Sequence, residues 1–315
     1  MIAVLIKEFE SWVSMRSSYV LLTMSVVAFG IGSLGVGSLV LSQAPLTAPS
    51  LFSSRPAGGV SPLATVIASS PGSFVFLGAL FALLVVVAAV APVVAGGTVM
   101  AEREARTLEV LLVNGSRAMA IVGGKLLAAT AATAALVLVL APGFAAAWLF
   151  GGVSAAMLAA VGLLLLGASM LFGATGIFFS TVLRSSLAAV LCSYAVAFAL
   201  LFVAPFAYLA MAASEASAGA WPLVYLNPFL AAVSLVEAPL RDRFLAEVPS
   251  PLHDLLASPH QQALPALGEV PHWAITLALY VVASVLLVVL SSLIIDPCHR
   301  LKASWPLRGI TRGVS

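Results

Sequence analysis

The sequence predicts an all-α membrane protein with six transmembrane helices, an N-terminal interfacial elbow helix and a cytoplasmic coupling helix. Hydrophobic residues make up 62% of the 315 residues and charged residues only 8%, whereas soluble domains carry roughly 45–50% apolar and about 25% charged residues. Six apolar runs also reach the length of about 20 residues that crosses the hydrocarbon core of a bilayer. Lipid is therefore the expected solvent of most of the chain.

The elbow helix is predicted over residues 2–16, ahead of the first apolar run. Its apolar residues recur at the spacing of one helix face: Ile2, Leu5, Ile6, Phe9, Trp12 and Val13. A short helix with Phe9 and Trp12 on its apolar side, and Arg16 at its end, is expected to lie in the membrane interface rather than to cross it. The alternative is a polar lead-in to the first span.

The six predicted spans are residues 20–41, 74–98, 122–150, 154–182, 186–212 and 273–295. We expect helices, because a lone segment in lipid must satisfy its backbone hydrogen bonds internally, and no alternating barrel pattern is present. Pro92, Pro142 and Pro205 fall inside the second, third and fifth spans and are expected to kink them.

The distribution of basic residues predicts the orientation. With the N-terminus inside, 11 of the 14 Lys and Arg residues fall on the cytoplasmic side, and only Arg55, Arg241 and Arg243 fall outside. The positive-inside rule therefore predicts a multi-pass protein of the cell membrane with both termini in the cytoplasm. The external loops would then be residues 43–73 and 213–272.

The second external loop contains an apolar stretch with a helix start signal. Asn227 is a candidate N-cap, and Pro228 would occupy the first helical position. The distance to Pro239 leaves room for about three helical turns, which is too short to span. We predict a re-entrant or interfacial helix at the outer mouth, with a plain surface loop as the alternative.

The densest charge cluster lies between the second and third spans, over residues 101–125. A helix is predicted over about 100–113, with one stripe of Ala101, Ala105, Leu108 and Leu112 and a second stripe of Glu102, Arg106 and Glu109. Asn114 and Gly115 would end the helix, and Ser116 would cap the next one. The alternative is a solvated loop whose basic residues only set the topology.

This cluster resembles the signature of ABC-2 type transporter permeases. The similarity is carried by the sequence Glu-Arg-Glu, then Thr-Leu-Glu and Leu-Leu, then Ser116-Arg117 and Gly124-Lys125. The segment from Ser180 to Ala188 and the sequence Asn227, Pro228 and Phe229 also match, so the resemblance covers essentially the whole chain. The chain departs from the family at Arg106, where glycine is usual, and at Asn114-Gly115, where proline is common.

The resemblance implies that the segment docks on a separate ABC ATP-binding subunit, which would bind the ATP and magnesium. The residues implied in partner coupling are Glu102, Arg103, Glu104, Arg106, Thr107, Leu108, Glu109, Leu111, Leu112 and Arg117. Leu108 and Leu112 would anchor the helix in a groove of the ATPase, and the charges would set partner choice. A second permease subunit, in a homo- or heterodimer, and membrane lipid complete the implied partners, and export is the implied direction.

Several other classes of function lack the residues that they need. The chain has no G-x-x-x-x-G-K-[ST] phosphate loop, so we expect it to be no ATPase and no enzyme, with no cofactor of its own. No charged residue or histidine lies well inside a predicted span, which disfavours an ion-coupled carrier. An intramembrane hydrolase would have candidate nucleophiles in Ser169 and Ser193 but no histidine base within a span.

Three features outside the spans have simpler interpretations than a binding site. The histidines His253, His260 and His272, with Asp254 and Glu269, follow no zinc spacing and are expected to be solvated. The basic tail from Arg300 to Arg312 is expected to contact anionic lipid rather than nucleic acid. A non-transporting membrane scaffold that recruits a cytoplasmic partner through residues 101–117 remains the main alternative function.

Overall fold

The computed structural model describes residues 71–105, 107–108, 117–140, 144, 148, 153–204, 206–207, 210, 225–235 and 270–295. Within these residues the chain forms α-helices and no strand, which confirms the all-helical prediction for this part. The helices are α1 (Pro71–Gly96), α2 (Thr98–Glu104), α3 (Ala118–Leu140), α4 (Ala155–Val182), α5 (Ser186–Phe198), α6 (Pro228–Val233) and α7 (His272–Ile295). A π-helical turn, Ala199–Val203, continues α5.

Five helical segments are long and apolar enough to cross a membrane: Phe76–Arg103, Ala118–Val139, Ala155–Val182, Ser186–Val203 and His272–Ile295. Each of the second to sixth predicted spans corresponds to one of them, so the chain has the character of a multi-pass helical membrane protein. The first predicted span, 20–41, and the elbow helix, 2–16, lie outside the described residues.

Helix α4 lies at the centre of the described bundle and contacts all six other α-helices. Small residues allow its closest approach, which is to α1. A Cβ atom at Gly176 would lie 3.1 Å from the carbonyl oxygen of Pro92 and 3.1 Å from the amide nitrogen of Gly96. The two backbones therefore touch at this crossing, as is common where small residues lie between membrane helices.

The spanning helices alternate in direction, and two apolar clusters mark the two ends of the bundle. One cluster joins the end of α1, the start of α3 and the ends of α4 and α7, through residues that include Ala95, Ile121, Ile177 and Ile295. The other joins the start of α1 to the start of α4 and to α6. We call the first the charged end and the second the apolar end.

All charged residues in the described part of the chain lie at the charged end: Glu102, Arg103, Glu104, Arg117, Lys125 and Arg184. The basic residues among them are the ones that the positive-inside rule groups together. The structure thus brings to one end the loops that the sequence places on one side. The assignment of that end to the cytoplasm stays a prediction.

Helix α6 is a short helix at the apolar end, and its predicted start is confirmed. The Asn227 side-chain oxygen accepts hydrogen bonds from the amides of Phe229 (2.8 Å) and Leu230 (3.1 Å), and Pro228 begins the helix. Pro228, Ala231 and Ala232 are buried, so this segment is no plain surface loop. Residues from 236 to 269 lie outside the described part, and with them the predicted extent towards Pro239.

Asn227 also forms hydrogen bonds to the neighbouring span. Its side-chain nitrogen donates to the carbonyl oxygens of Leu200 (3.0 Å) and Leu201 (2.8 Å) in the π-helical turn. One buried amide therefore caps α6 through its oxygen and joins α6 to the π-helical turn through its nitrogen.

Candidate coupling site

Helix α2, which begins the predicted coupling helix, follows α1 almost without interruption. A single turn residue, Gly97, separates them, and the Thr98 hydroxyl donates to the carbonyl oxygen of Ala95 at 2.8 Å. Val99 and Met100 are buried, so the first turn of α2 belongs to the apolar bundle. The described helix is Thr98–Glu104, which begins two residues before the predicted start; residues 109–116 lie outside the described part.

A buried ion pair joins α2 to α3. The Lys125 ammonium lies 3.1 Å from the Glu102 carboxylate oxygen Oε1 and donates to the carbonyl oxygen of Thr98 at 3.2 Å. The Lys125 side chain is fully buried, and that of Glu102 is 11% exposed. Burial of a charged group costs free energy unless an opposite charge compensates it. These two side chains therefore need each other and fix α2 against α3.

This pair places a buried lysine near the start of a helix of membrane-spanning length. Helix α3 begins at Ala118, four residues before the predicted boundary, so Lys125 occupies its third turn. The hydrophobic pattern alone places Lys125 three residues inside the predicted start of the span at residue 122, and it carries no sign of burial. The sequence gives no direct sign that Glu102 neutralises it.

Two hydrogen bonds hold α2 against the end of α4. The Met100 amide donates to the Ser180 hydroxyl oxygen at 3.1 Å, and the Arg103 guanidinium donates to the carbonyl oxygen of Thr181 at 3.1 Å. The last carbonyls of a helix lack intrahelical partners and carry partial negative charge. Arg103 therefore stabilises the end of α4 and ties it to α2.

The structure separates the predicted coupling residues into an inner and an outer set. Glu102 and Leu108 are buried; Leu108 is 8% exposed and packs in the cluster with Val99, Ala118 and Ile121. Both side chains therefore contact the chain's own helices. The sequence instead predicts Leu108 as an anchor in a groove of the ATPase and Glu102 as a charge that sets partner choice. The outer set consists of Thr107 and Arg117, which are exposed. Ala101 and Ala105, which do not belong to the predicted coupling residues, are exposed beside them.

The remaining predicted site residues are only partly described. Glu104 is the last residue of α2, and the Thr107 hydroxyl donates to the carbonyl oxygen of Glu102 at 3.3 Å. Arg106, Glu109, Leu111 and Leu112 lie outside the described residues, as do Phe9, Trp12 and Arg16 of the elbow. Their roles stay predictions.

Three residues at this site were missing from the predicted set: Lys125, Ser180 and Thr181. Gly124-Lys125 and the segment that begins at Ser180 both belong to the pattern that resembles ABC-2 permeases. That resemblance is the sequence feature that singles them out, and the fold shows that they meet at α2. Arg103 and Thr181 are 78 residues apart in the sequence, so no local pattern indicates that they are in contact.

Only His272 of the five candidate metal ligands lies in the described part of the chain, where no group of three or more His, Cys, Asp or Glu side chains could hold an ion. His272 begins α7 and is 3% exposed, with its ring stacked on Tyr225 at 4.9 Å between centroids. The prediction of a solvated His272 is therefore wrong. His253, His260, Asp254 and Glu269 lie outside the described part.

Comparison with models of protein families finds no family that matches the chain, and comparison with curated proteins finds no relative.

Proposed function

We propose that this chain is the permease subunit of an ATP-driven exporter of the ABC-2 type, with the ATPase on a separate polypeptide. In this proposal two permease subunits form the pathway across the cell membrane, and the charged end of the bundle faces the cytoplasm. The sequence pattern of residues 102–125 suggests the family, and the geometry around α2 supports the mechanism.

The observation that carries the proposal is the three-way attachment of α2. Its position is fixed by the Glu102–Lys125 ion pair to α3 and by the contacts of Met100 and Arg103 to α4. A force applied to α2 from outside would therefore reach α1, α3 and α4 together. Coupling between an ATPase and a membrane path needs such a rigid element, because packed interfaces move as units.

The outer face of α2 is the surface left for the ATPase. Ala101, Ala105 and Thr107 are small and exposed, so a partner could approach the helix closely. Glu104, Arg106, Glu109, Leu111 and Leu112 continue to be proposed as partner contacts. Glu102 and Leu108 are reassigned to holding α2 in place, because both side chains are engaged inside the chain.

The test adds bulk to this face. The chain is purified with the ATPase encoded by the adjacent open reading frame, as wild type and as Ala105→Trp. A tryptophan in a close-packed interface should prevent seating, and we expect at least a tenfold loss of co-purified ATPase, on the order of 1.4 kcal/mol or more. Permease-stimulated ATP hydrolysis should fall in proportion.

The matched control is Ala156→Trp, which enlarges an equally exposed alanine near the start of α4, at the opposite end of the bundle. We expect it to retain the ATPase. Equal retention of the ATPase by both variants would refute the docking face. An ATPase that binds normally while no solute ever moves would instead favour the scaffold function.

The same ion pair favours a second candidate, an ion-coupled carrier. The other Glu102 oxygen, Oε2, is buried and has no hydrogen-bond partner in the described part of the chain. Buried carboxylates of this kind occur in proton relays. Uptake into ATP-free vesicles under a proton gradient decides between the two: the carrier requires transport that Glu102→Gln abolishes, and the exporter requires none.

A further inference from the structure

The π-helical turn that continues α5 has a hydrogen-bond pattern different from the rest of that helix. In the turn, Ala199–Val203, the Ala204 amide donates to the carbonyl oxygen of Ala199, five residues earlier. In a regular α-helix this amide donates to the carbonyl four residues earlier, which is that of Leu200. The turn therefore contains one residue more than a regular helix would, and such turns are rare and concentrate at functional sites.

A residue of another helix binds the carbonyl that the turn leaves without its α-helical donor. The Asn227 side-chain nitrogen donates to the carbonyl oxygen of Leu200 at 3.0 Å, and also to that of Leu201 at 2.8 Å. Asn227 is 1% exposed. A buried carbonyl without a donor costs free energy, so this side chain stabilises the extra residue of the turn.

Two hydrogen-bond registers are therefore available to this part of α5. In the register of the structure, the Ala204 amide bonds to Ala199 and the Asn227 side chain bonds to Leu200. In the regular register, the Ala204 amide bonds to Leu200 and replaces Asn227 there. The Leu200 carbonyl is paired in both cases, so the choice depends on whether the Asn227 side chain is next to the turn.

The position of Asn227 depends on α6 and α7. The preceding residue, Leu226, accepts a hydrogen bond from the Tyr280 hydroxyl of α7 at 2.6 Å. At the other end of α6, the Ser234 hydroxyl oxygen accepts one from the Trp273 amide at 3.2 Å. Both ends of α6 are therefore tied to the first half of α7, and Asn227 links this pair of helices to α5.

We propose that the π-helical turn is a conformational switch at the apolar end of the bundle, and that Asn227 selects its register. When α6 moves away from α5, the Ala204 amide takes the Leu200 carbonyl and the turn becomes regular. The segment from Ala204 onwards then rotates by about 100° and shifts by about 1.5 Å, the step of one helical residue. The inference goes beyond the proposed transport function and needs no ATPase, so it stands or falls separately from docking at the charged end.

Distances between spin labels report the register. The full chain, without its two native cysteines, is placed in lipid nanodiscs and labelled at Phe206→Cys together with Val85→Cys on α1 or Leu286→Cys on α7, all at exposed positions. Pulsed electron paramagnetic resonance measures the distance within each pair. Because side chains reach about 5–6 Å from a helix axis, a rotation of about 100° moves the label at position 206 by about 8 Å. The two references detect this movement along two directions.

Asn227→Ser removes the donors to the turn but keeps an N-cap oxygen for α6. Wild type should give one distance from each reference. The variant should add a second distance that differs by about 4 Å or more from at least one reference. Leu191→Cys, which replaces Phe206→Cys as the control label and precedes the turn, should keep its distances. Ser234→Ala removes a different hydrogen bond of α6 and should leave position 206 unchanged.

Two deletions test the extra residue without a change at Asn227. Deletion of Ala199 removes the residue that the turn has in excess, so the label at Phe206→Cys should keep its wild-type distances. Deletion of Ala195, in the regular part of α5, should rotate the same label by about 100°.

Any one of three results overturns the proposal. The first is that Asn227→Ser leaves both distances to position 206 unchanged. The second is an equal change at the control label or in Ser234→Ala, and the third is an equal rotation caused by the two deletions. The deletions decide the matter even if Asn227→Ser fails to fold, because they retain the Asn227 side chain.

Discussion

Lys125 illustrates how a single residue can have a role that its place in the sequence conceals. In the sequence it is one of several basic residues beside a span, yet in the fold it is fully buried and paired with Glu102. The positive-inside rule predicts basic residues at the cytoplasmic ends of spans. It does not explain burial, which depends on a carboxylate from another helix.

Removal of the lysine charge should destabilise the chain. Lys125→Met leaves Glu102 without its partner, and we expect a loss of about 3 kcal/mol, since the uncompensated partner of a buried pair costs about 3–5 kcal/mol. The double variant Glu102→Gln with Lys125→Met removes both charges and should lie within about 1 kcal/mol of wild type. Denaturant unfolding in detergent measures both.

Arg117→Met is the control for this experiment, because Arg117 is an exposed basic residue at the same end. Its effect should stay within about 0.5 kcal/mol, as for most surface substitutions. If Lys125→Met were no less stable than the double variant, the ion pair would have no structural role.

The helices differ in how far the sequence predicts them. Hydropathy and length suffice for α1, α3, α4, α5 and α7, because each must match the bilayer. Asn227 and Pro228 suffice for the start of α6 because capping is local. The π-helical turn and its bonds to Asn227 join residues more than 20 positions apart, so no local pattern predicts them.

The crossing of α1 and α4 is another contact beyond the reach of local patterns. Gly176→Ala would place a Cβ 3.1 Å from two backbone atoms of α1, so the helices must separate. We expect a loss of about 1–3 kcal/mol, the usual cost of overpacking, measured by the same unfolding assay.

Gly162→Ala is the matched control on the same helix, since a Cβ there meets no atom within 4 Å. It should be neutral or slightly stabilising, because alanine favours the helix. Equal losses for the two alanines would mean that glycine matters on α4 for reasons other than the close approach to α1.

For the whole molecule, the sequence predicts which helix ends lie together, and the fold confirms it for the described helices. Alternation of the spans and the distribution of basic residues both assign Arg103, Arg117 and Arg184 to one end, where the structure has them. The proposed partner surface is less predictable. The sequence predicts stripes of residues along α2. Which stripe faces the bundle depends on the contacts of α2 with Lys125 and with the end of α4, and these contacts are visible only in the fold.

The orientation in the membrane stays a prediction, and cysteine labelling tests it. In a background without the two native cysteines, Ser186→Cys at the charged end should react with an impermeant maleimide only after the cells are permeabilised. Ala156→Cys, near the opposite end, should react in intact cells. The reverse pattern would place the charged end outside, away from any cytoplasmic ATPase.

Photo-crosslinking from the outer face of α2 tests most directly whether α2 is the element that a partner ATPase grips. The photoreactive residue p-benzoylphenylalanine replaces Ala105 in cells that express the adjacent ATPase, and Ala156 serves as the control position. We predict an irradiation-dependent adduct between the chain and the ATPase from position 105 and none from position 156. The absence of an adduct from position 105, or equal adducts from both, would contradict the proposed coupling role of α2.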